Sequence, residues 1–227
     1  MTGDEHVCSV ATLDLVGQAL GVDVRRFPFA FPTSTAGRTE PERLGSAARA
    51  HRELVDRDLV RGGRFAPEFE DAVRLFALAP RAVALTGSAA VAVAAFDDER
   101  GVLAVADGAA IRFRPTPSSL IVPALTGLLP HVPPGPGASV TVAPGDTTAA
   151  RRILGRPRYG SGCFLITAPA RRPEPVSWLD TDVGRYAAVV DTGRDGPVRA
   201  TYTPADRAWL IRRLDAAART GRVTSWT

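Results

Sequence analysis

Trp178, Asp180, Asp182, Arg185 and Tyr186 fall within ten residues, SWLDTDVGRY, Ser177 to Tyr186. Two carboxylates beside a guanidinium and a phenol are the groups of which acid–base centres are built, because neighbouring charges push carboxyl pKa values apart. A second candidate is YGSGCF, Tyr159 to Phe164. There a glycine-rich turn next to Cys163 has the makings of a phosphate cradle or a nucleophile site. The three histidines, His6, His51 and His131, share no local motif, and no His, Cys, Asp or Glu cluster has metal-ligand spacing.

The elements that carry these residues decide between chemistry and architecture. At an offset of about 83, FDDERGVLAVA (Phe96 to Ala106) lies over LDTDVGRYAAV (Leu179 to Val189), matching Asp97 with Asp180 and Gly101 with Gly184. At about 87, IRFRPTP (Ile111 to Pro117) lies over VRATYTP (Val198 to Pro204), and at about 77, APEFEDAVR (Ala66 to Arg74) lies over APGDTTAAR (Ala143 to Arg151). Three blocks in one order describe a duplicated unit. SWLDTDVGRY is then the second copy of a β-hairpin, with Asp180 and Asp182 placed in its turn as Asp97 and Glu99 are in the first. The carboxylates recur with the turn; Trp178 and Arg185 do not. The aspartates therefore read as structural.

YGSGCF reads the same way. A phosphate loop of the Gly-Lys-Ser/Thr type needs a lysine, and the chain has none. A dinucleotide fingerprint needs a helix after the glycines, whereas a strand-like run follows. The segment is expected to open an edge or bulged strand. No catalytic residue, cofactor or metal is expected, and the protein is read as not an enzyme.

Each copy of the repeat begins with a helix behind Ala-Pro, Pro67 to Leu78 and then Pro144 to Leu154, since proline is tolerated where the first-turn N–H has no partner. Strands are expected at 81–87, 90–96, 101–107 and 109–114, and again at 161–168, 175–180, 184–191 and 197–203. Closing helices are expected at Pro117 to Leu129, capped by Thr116, and at Pro204 to Ala218, capped by Thr203. Ahead of the repeat, Val7 to Ala11 reads as a strand and Thr12 as the cap of a helix from Leu13 to Leu20. FPFAFPTSTAGRT (Phe27 to Thr39) is an extended loop, and Thr39 with Glu42 forms a capping box for a helix over 40–58. Leu44, Ala47, Ala48, His51, Leu54, Val55 and Leu59 mark that helix's buried side. PPGPG, Pro133 to Gly137, is the expected linker, giving one domain over 1–227 with internal halves of about 1–132 and 138–227.

Composition excludes several classes. All 28 basic residues are arginine, the net charge is only +4 over 227 residues, and the arginines come as scattered doublets. A nucleic-acid surface would concentrate them. A DNA-binding transcriptional regulator remains the alternative reading, from the loosely winged-helix look of residues 40–78. The amino terminus has no apolar signal core, and the most apolar window, Ala82 to Phe96, is too short to span a bilayer. Two distant cysteines, Cys8 and Cys163, read as reduced thiols in the cytoplasm. No membrane insertion and no nucleic acid are expected.

The strands VAVAAF, VLAVA and GRYAAVV are apolar on both faces, so the second face must be covered by the chain's own helices or by a partner. PVSWLDTDVGRY, then VRATYTPADRAWLIRRL, with GSGCF upstream, resembles the EspG family of actinobacterial type VII (ESX) secretion chaperones. FPF…GRTEPER and RGGRFAPEFEDAVRLFALAP resemble the same family's amino-terminal half. The resemblance implies an α+β fold: a central antiparallel sheet with flanking helical bundles and two pseudo-symmetric halves. It implies a cytosolic chaperone that binds the exposed PPE tip of a secreted PE–PPE heterodimer through its sheet, its carboxy-terminal helices and the loop between the second and third strands. That loop is very short here, Gly87 to Ala90. The oligomeric state is left open, a homodimer included. The second copy is richer in large amphipathic side chains, and Phe164, Trp178, Arg185, Tyr186 and Trp209 are the expected client-binding residues, because such groups bury much area at small entropic cost.

Overall fold

The protein is described by a computed structural model covering residues 5–31, 39–143, 150–191 and 199–219. It divides into two compact units, residues 1–80 with 92–121, and residues 81–91 with 122–227. The first strand, β1 (His6–Ser9), leads directly into α1 (Val10–Leu20). Ser9, not Thr12, is the cap: its Oγ accepts from the Thr12 N–H at 3.1 Å. Gly21 ends the helix with φ of 66°, a left-handed position that glycine takes without strain.

The capping box at Thr39 opens α2 (Glu40–Asp56) as expected, with the Glu42 carboxylate accepting from the Thr39 N–H at 2.9 Å. Its buried side is not the expected one. Leu54 and Leu59 are buried, together with Ala50, but Leu44 is 65 % exposed, and Ala47, Ala48, His51 and Val55 are exposed too. The rotation has a polar cause. Glu53, on the same side as Ala50 and Leu54, accepts from Ser9 N at 2.6 Å, Ser9 Oγ at 2.8 Å and Thr12 Oγ1 at 2.5 Å. These bonds join Glu53 to Ser9 and Thr12 at the start of α1, so the side of α2 that faces inward is the one carrying Ala50, Glu53 and Leu54 rather than its apolar stripe.

A short hairpin, β2 (Val60–Arg61) and β3 (Arg64–Phe65), leads to α3 (Pro67–Leu78). Then come β4 (Arg81–Gly87), β5 (Ala92–Phe96), β6 (Arg100–Asp107) and β7 (Ala110–Pro117). In the first unit the antiparallel order is β1-β7-β6-β5, with α3 packed on it. Phe76 bridges Phe29 at 5.9 Å and Phe113 at 5.4 Å, and Phe69 meets His6 and Phe65 edge-on. Every residue of β5 is buried, so both faces of this strand are covered.

β7 runs through Pro117, and a single 3₁₀ turn separates it from α4 (Ile121–Thr126), so Thr116 caps no helix; its hydroxyl donates to Arg114 O. The second unit holds β4, β8 (Val140–Val142), α5 (Arg151–Leu154), β9 (Arg158–Thr167), β10 (Glu174–Thr181), β11 (Gly184–Asp191), β12 (Arg199–Pro204) and α6 (Arg207–Arg219). Its antiparallel order is β4-β9-β10-β11-β12-β8, with α6 against β4 and β9. Asp206, not Thr203, caps α6, since β12 carries the chain past Thr203 and Asp206 Oδ1 accepts from Trp209 N. Most of the expected helix Pro144 to Leu154 lies outside the described residues; its last turn is α5. The fold class is α+β, and β5-β6-β7 and β10-β11-β12 repeat one antiparallel meander.

Candidate functional site

The two hairpins of the repeat differ by one residue from their sequence match. In the first, Asp97 pairs with Arg100 across the turn, and Asp97 Oδ1 accepts from the N–H groups of Glu99 and Arg100. In the second, Thr181 and Gly184 close the turn, and the Thr181 hydroxyl accepts from Val183 N and donates to Gly184 O. Thr181 therefore does the work of Asp97. Asp180 is on the strand, directly opposite Arg185.

That cross-strand pair is the polar centre of the second unit. Arg185 is 1 % exposed and Asp180 3 %. Arg185 Nε and Nη2 donate to the two Asp180 oxygens at 2.6 and 2.9 Å, and Nη2 also donates to Pro130 O at 3.1 Å. The guanidinium lies 5.5 Å from the Trp178 ring centroid. The chain before β8 is fastened to the same place: Arg185 N donates to Pro133 O, Gly135 N to Arg185 O and Tyr186 Oη to Pro136 O. Pro133 to Gly137, expected as a linker, is a docked segment. Gly135 is there because a Cβ would stand 2.2 Å from the Tyr186 ring.

YGSGCF is the first half of β9, a central strand between β4 and β10 rather than an edge. The register slips between Asp180 and Thr181, whose partners are Gly160 and Arg158, so Tyr159 is the extra residue of a β-bulge. It is pushed out to 76 % exposure. Gly162 is required by packing: a Cβ would stand 2.4 Å from Thr86 O and 2.8 Å from Trp178 Nε1. That indole N–H is buried without a hydrogen-bond partner. Cys163 is half-buried, its Sγ donating to Phe164 O, while Cys8 is fully buried, and burial first, then Glu53, pushes its thiol up to about 12.

Of the five expected contact residues, four are interior. Phe164, Trp178, Arg185 and Tyr186 are buried, Trp178 and Arg185 on the same face as Asp180 and Tyr186 on the other, and none of them presents surface. Size and aromaticity signal burial as readily as binding, and here the meander packs them inward. Trp209 stands apart from them on α6 and is half-buried. The surface of the second unit is instead the opposite parity of the same strands. Phe164, Val176, Trp178 and Ala187 face one side and are buried; Cys163, Leu165, Ser177, Leu179, Ala188, Val190 and Tyr202 share the other, by register, and are half-buried or exposed. Tyr186 lies on this second face but is roofed by the segment ending at Pro136. Apolar side chains make up most of this second face, with the Cys163 thiol and the Ser177 and Tyr202 hydroxyls among them. Among the described residues no group of His, Cys, Asp and Glu could hold a metal ion.

The EspG family model matches residues 9–216. The chain belongs to the EspG family. No curated protein sequence matches it. Among solved structures it is similar to the Mycobacterium tuberculosis type VII secretion system chaperone EspG5, solved in complex with a PE25–PPE41 dimer. The TM-score is 0.64 at 13 % identity, covering 96 % of this chain and 98 % of that one. At that identity the likeness is one of fold. In this EspG chain the half-open sheet face was readable in part: the doubly apolar strands showed that a second face needed covering. Which parity stayed open was not readable, because apolar side chains line both.

Proposed function

We propose that this chain is a cytosolic, non-enzymatic chaperone of a type VII secretion system that binds a PE–PPE-type pair. Family membership over residues 9–216 carries the reading, together with the chaperone function stated for the structurally similar EspG5. The proposed contact surface is the open face of the second unit, Leu165, Leu179, Ala188, Val190 and Tyr202, with Trp209 on α6. Val190 is 40 % exposed near the end of β11, a position where a globular protein ordinarily carries a polar group. Phe164, Trp178 and Arg185 act behind this face, and Tyr186 on it beneath the docked segment, holding the strands in register. No helix among the described residues is long and apolar enough to cross a membrane, in keeping with a cytosolic role.

The test is co-expression of the chain with a PE–PPE pair, followed by affinity recovery. Val190→Arg and Leu165→Arg each put an uncompensated charge into an apolar contact, where full burial of the native side chain contributes about 1.5–3 kcal/mol. Recovery is expected to fall at least tenfold with the melting temperature unchanged. Full recovery by both variants refutes this surface.

A further inference from the structure

The first unit carries a groove of about 530 Å³ that the internal packing leaves empty. One wall is α3, the other the beginning of β6 and the end of β7. Its floor is apolar: Ala72, Leu75, Val102 and Pro115. Its rim is acidic, with Glu68, Asp71 and Glu99 against the single cation Arg100. Arg100 is already engaged with Asp97 at 3.3 Å, and Glu68 with Arg61 at 2.7 Å. Asp71 and Glu99 are exposed, and neither has an ion-pair partner among the described residues.

This arrangement runs against the net charge of the whole chain, which is +4. Two unneutralised carboxylates beside an apolar trough attract a cationic group to the groove, against the small positive net charge of the chain as a whole. We propose that this groove is a second docking surface, separate from the open face of the second unit, for a protein segment bearing apolar anchor residues flanked by arginine or lysine. The apolar anchors enter between Leu75 and Val102, and the flanking cations meet Asp71 and Glu99. The proposal is independent of the chaperone reading, since it rests only on the first unit's groove and charge.

The test uses two fluorescein-labelled peptides, RRALLARR and its charge-reversed counterpart EEALLAEE, titrated with the full chain and followed by anisotropy. The basic peptide is expected to bind at least tenfold more tightly, and to weaken as salt is raised. The double variant Asp71→Arg/Glu99→Arg, whose two sites are exposed and whose melting temperature should not move, is expected to reverse that order. Leu75→Arg, which fills the floor with charge, is expected to lose the basic peptide. Equal affinity for both peptides, or an unchanged order in the double variant, overturns the proposal. Capture of a PE–PPE pair separates the two sites: the double variant should retain it, and Leu165→Arg should lose it while still binding RRALLARR.

Discussion

Arg185→Ala is the sharpest perturbation of this fold. The substitution leaves the Asp180 carboxylate buried and without the guanidinium that donates to both of its oxygens. It also removes the bond to Pro130 O and the contact with the Trp178 ring. Breaking a buried ion pair from one side costs about 3–5 kcal/mol, because the remaining charge has lost its compensation while staying out of water. In a chain of this size each 1 kcal/mol moves the melting temperature by about 2–4 °C, so a fall of about 6–20 °C is expected. The double variant Asp180→Leu/Arg185→Met should recover much of the loss, since replacing both charges by apolar groups removes the desolvation cost together with the attraction. The assay is urea denaturation followed by circular dichroism, with Asp180→Leu, Arg185→Met and their double forming a cycle. A loss under about 1 kcal/mol for Arg185→Ala, or singles that simply add in the double, refutes the view that this pair anchors the second unit.

Gly162→Ala should destabilise by about 1–3 kcal/mol or prevent folding, as the new methyl meets Thr86 O and the Trp178 indole; a melting temperature equal to the parent's would show that β9 does not approach β4 this closely. Burial alone would raise the Glu53 carboxyl, but hydrogen bonds from Thr12 and Ser9 and the charge of Arg57 outweigh it and hold it below the usual carboxylate range. Its stabilisation is therefore complete above the unfolded carboxyl value and lost as pH falls through the lower folded value. Glu53→Gln should flatten that acid limb of a melting-temperature profile while lowering the plateau near pH 7, and an unchanged acid limb would count against it. A thiol reagent at pH 8 should modify Cys163 in the folded protein and leave Cys8 untouched until urea unfolds it; two fast thiols would contradict the burial of Cys8.

The sequence by itself determined the elements and much of their order. Apolar strand-like runs and turn chemistry placed the repeat's strands within a few residues, and Pro67 and the Thr39–Glu42 box placed the starts of α3 and α2, because these signals act over a few neighbouring residues. The absence of lysine by itself excludes a phosphate loop of the Gly-Lys-Ser/Thr type. The family, too, was legible in the order of its motifs. What only the tertiary structure decided were matters of facing and register. The one-residue slip between the hairpins moved Asp180 from turn to strand and gave it Arg185 as a buried partner, since a shift of one reverses every side chain in a strand. Glu53 turned α2 against its apolar periodicity because a partly buried carboxylate with three hydrogen bonds outweighs the exposure of Leu44 and Val55. The same logic hid Trp178 and Tyr186 and left Leu165 and Val190 outside: a strand apolar on both sides carries no local mark of which side its own chain will cover.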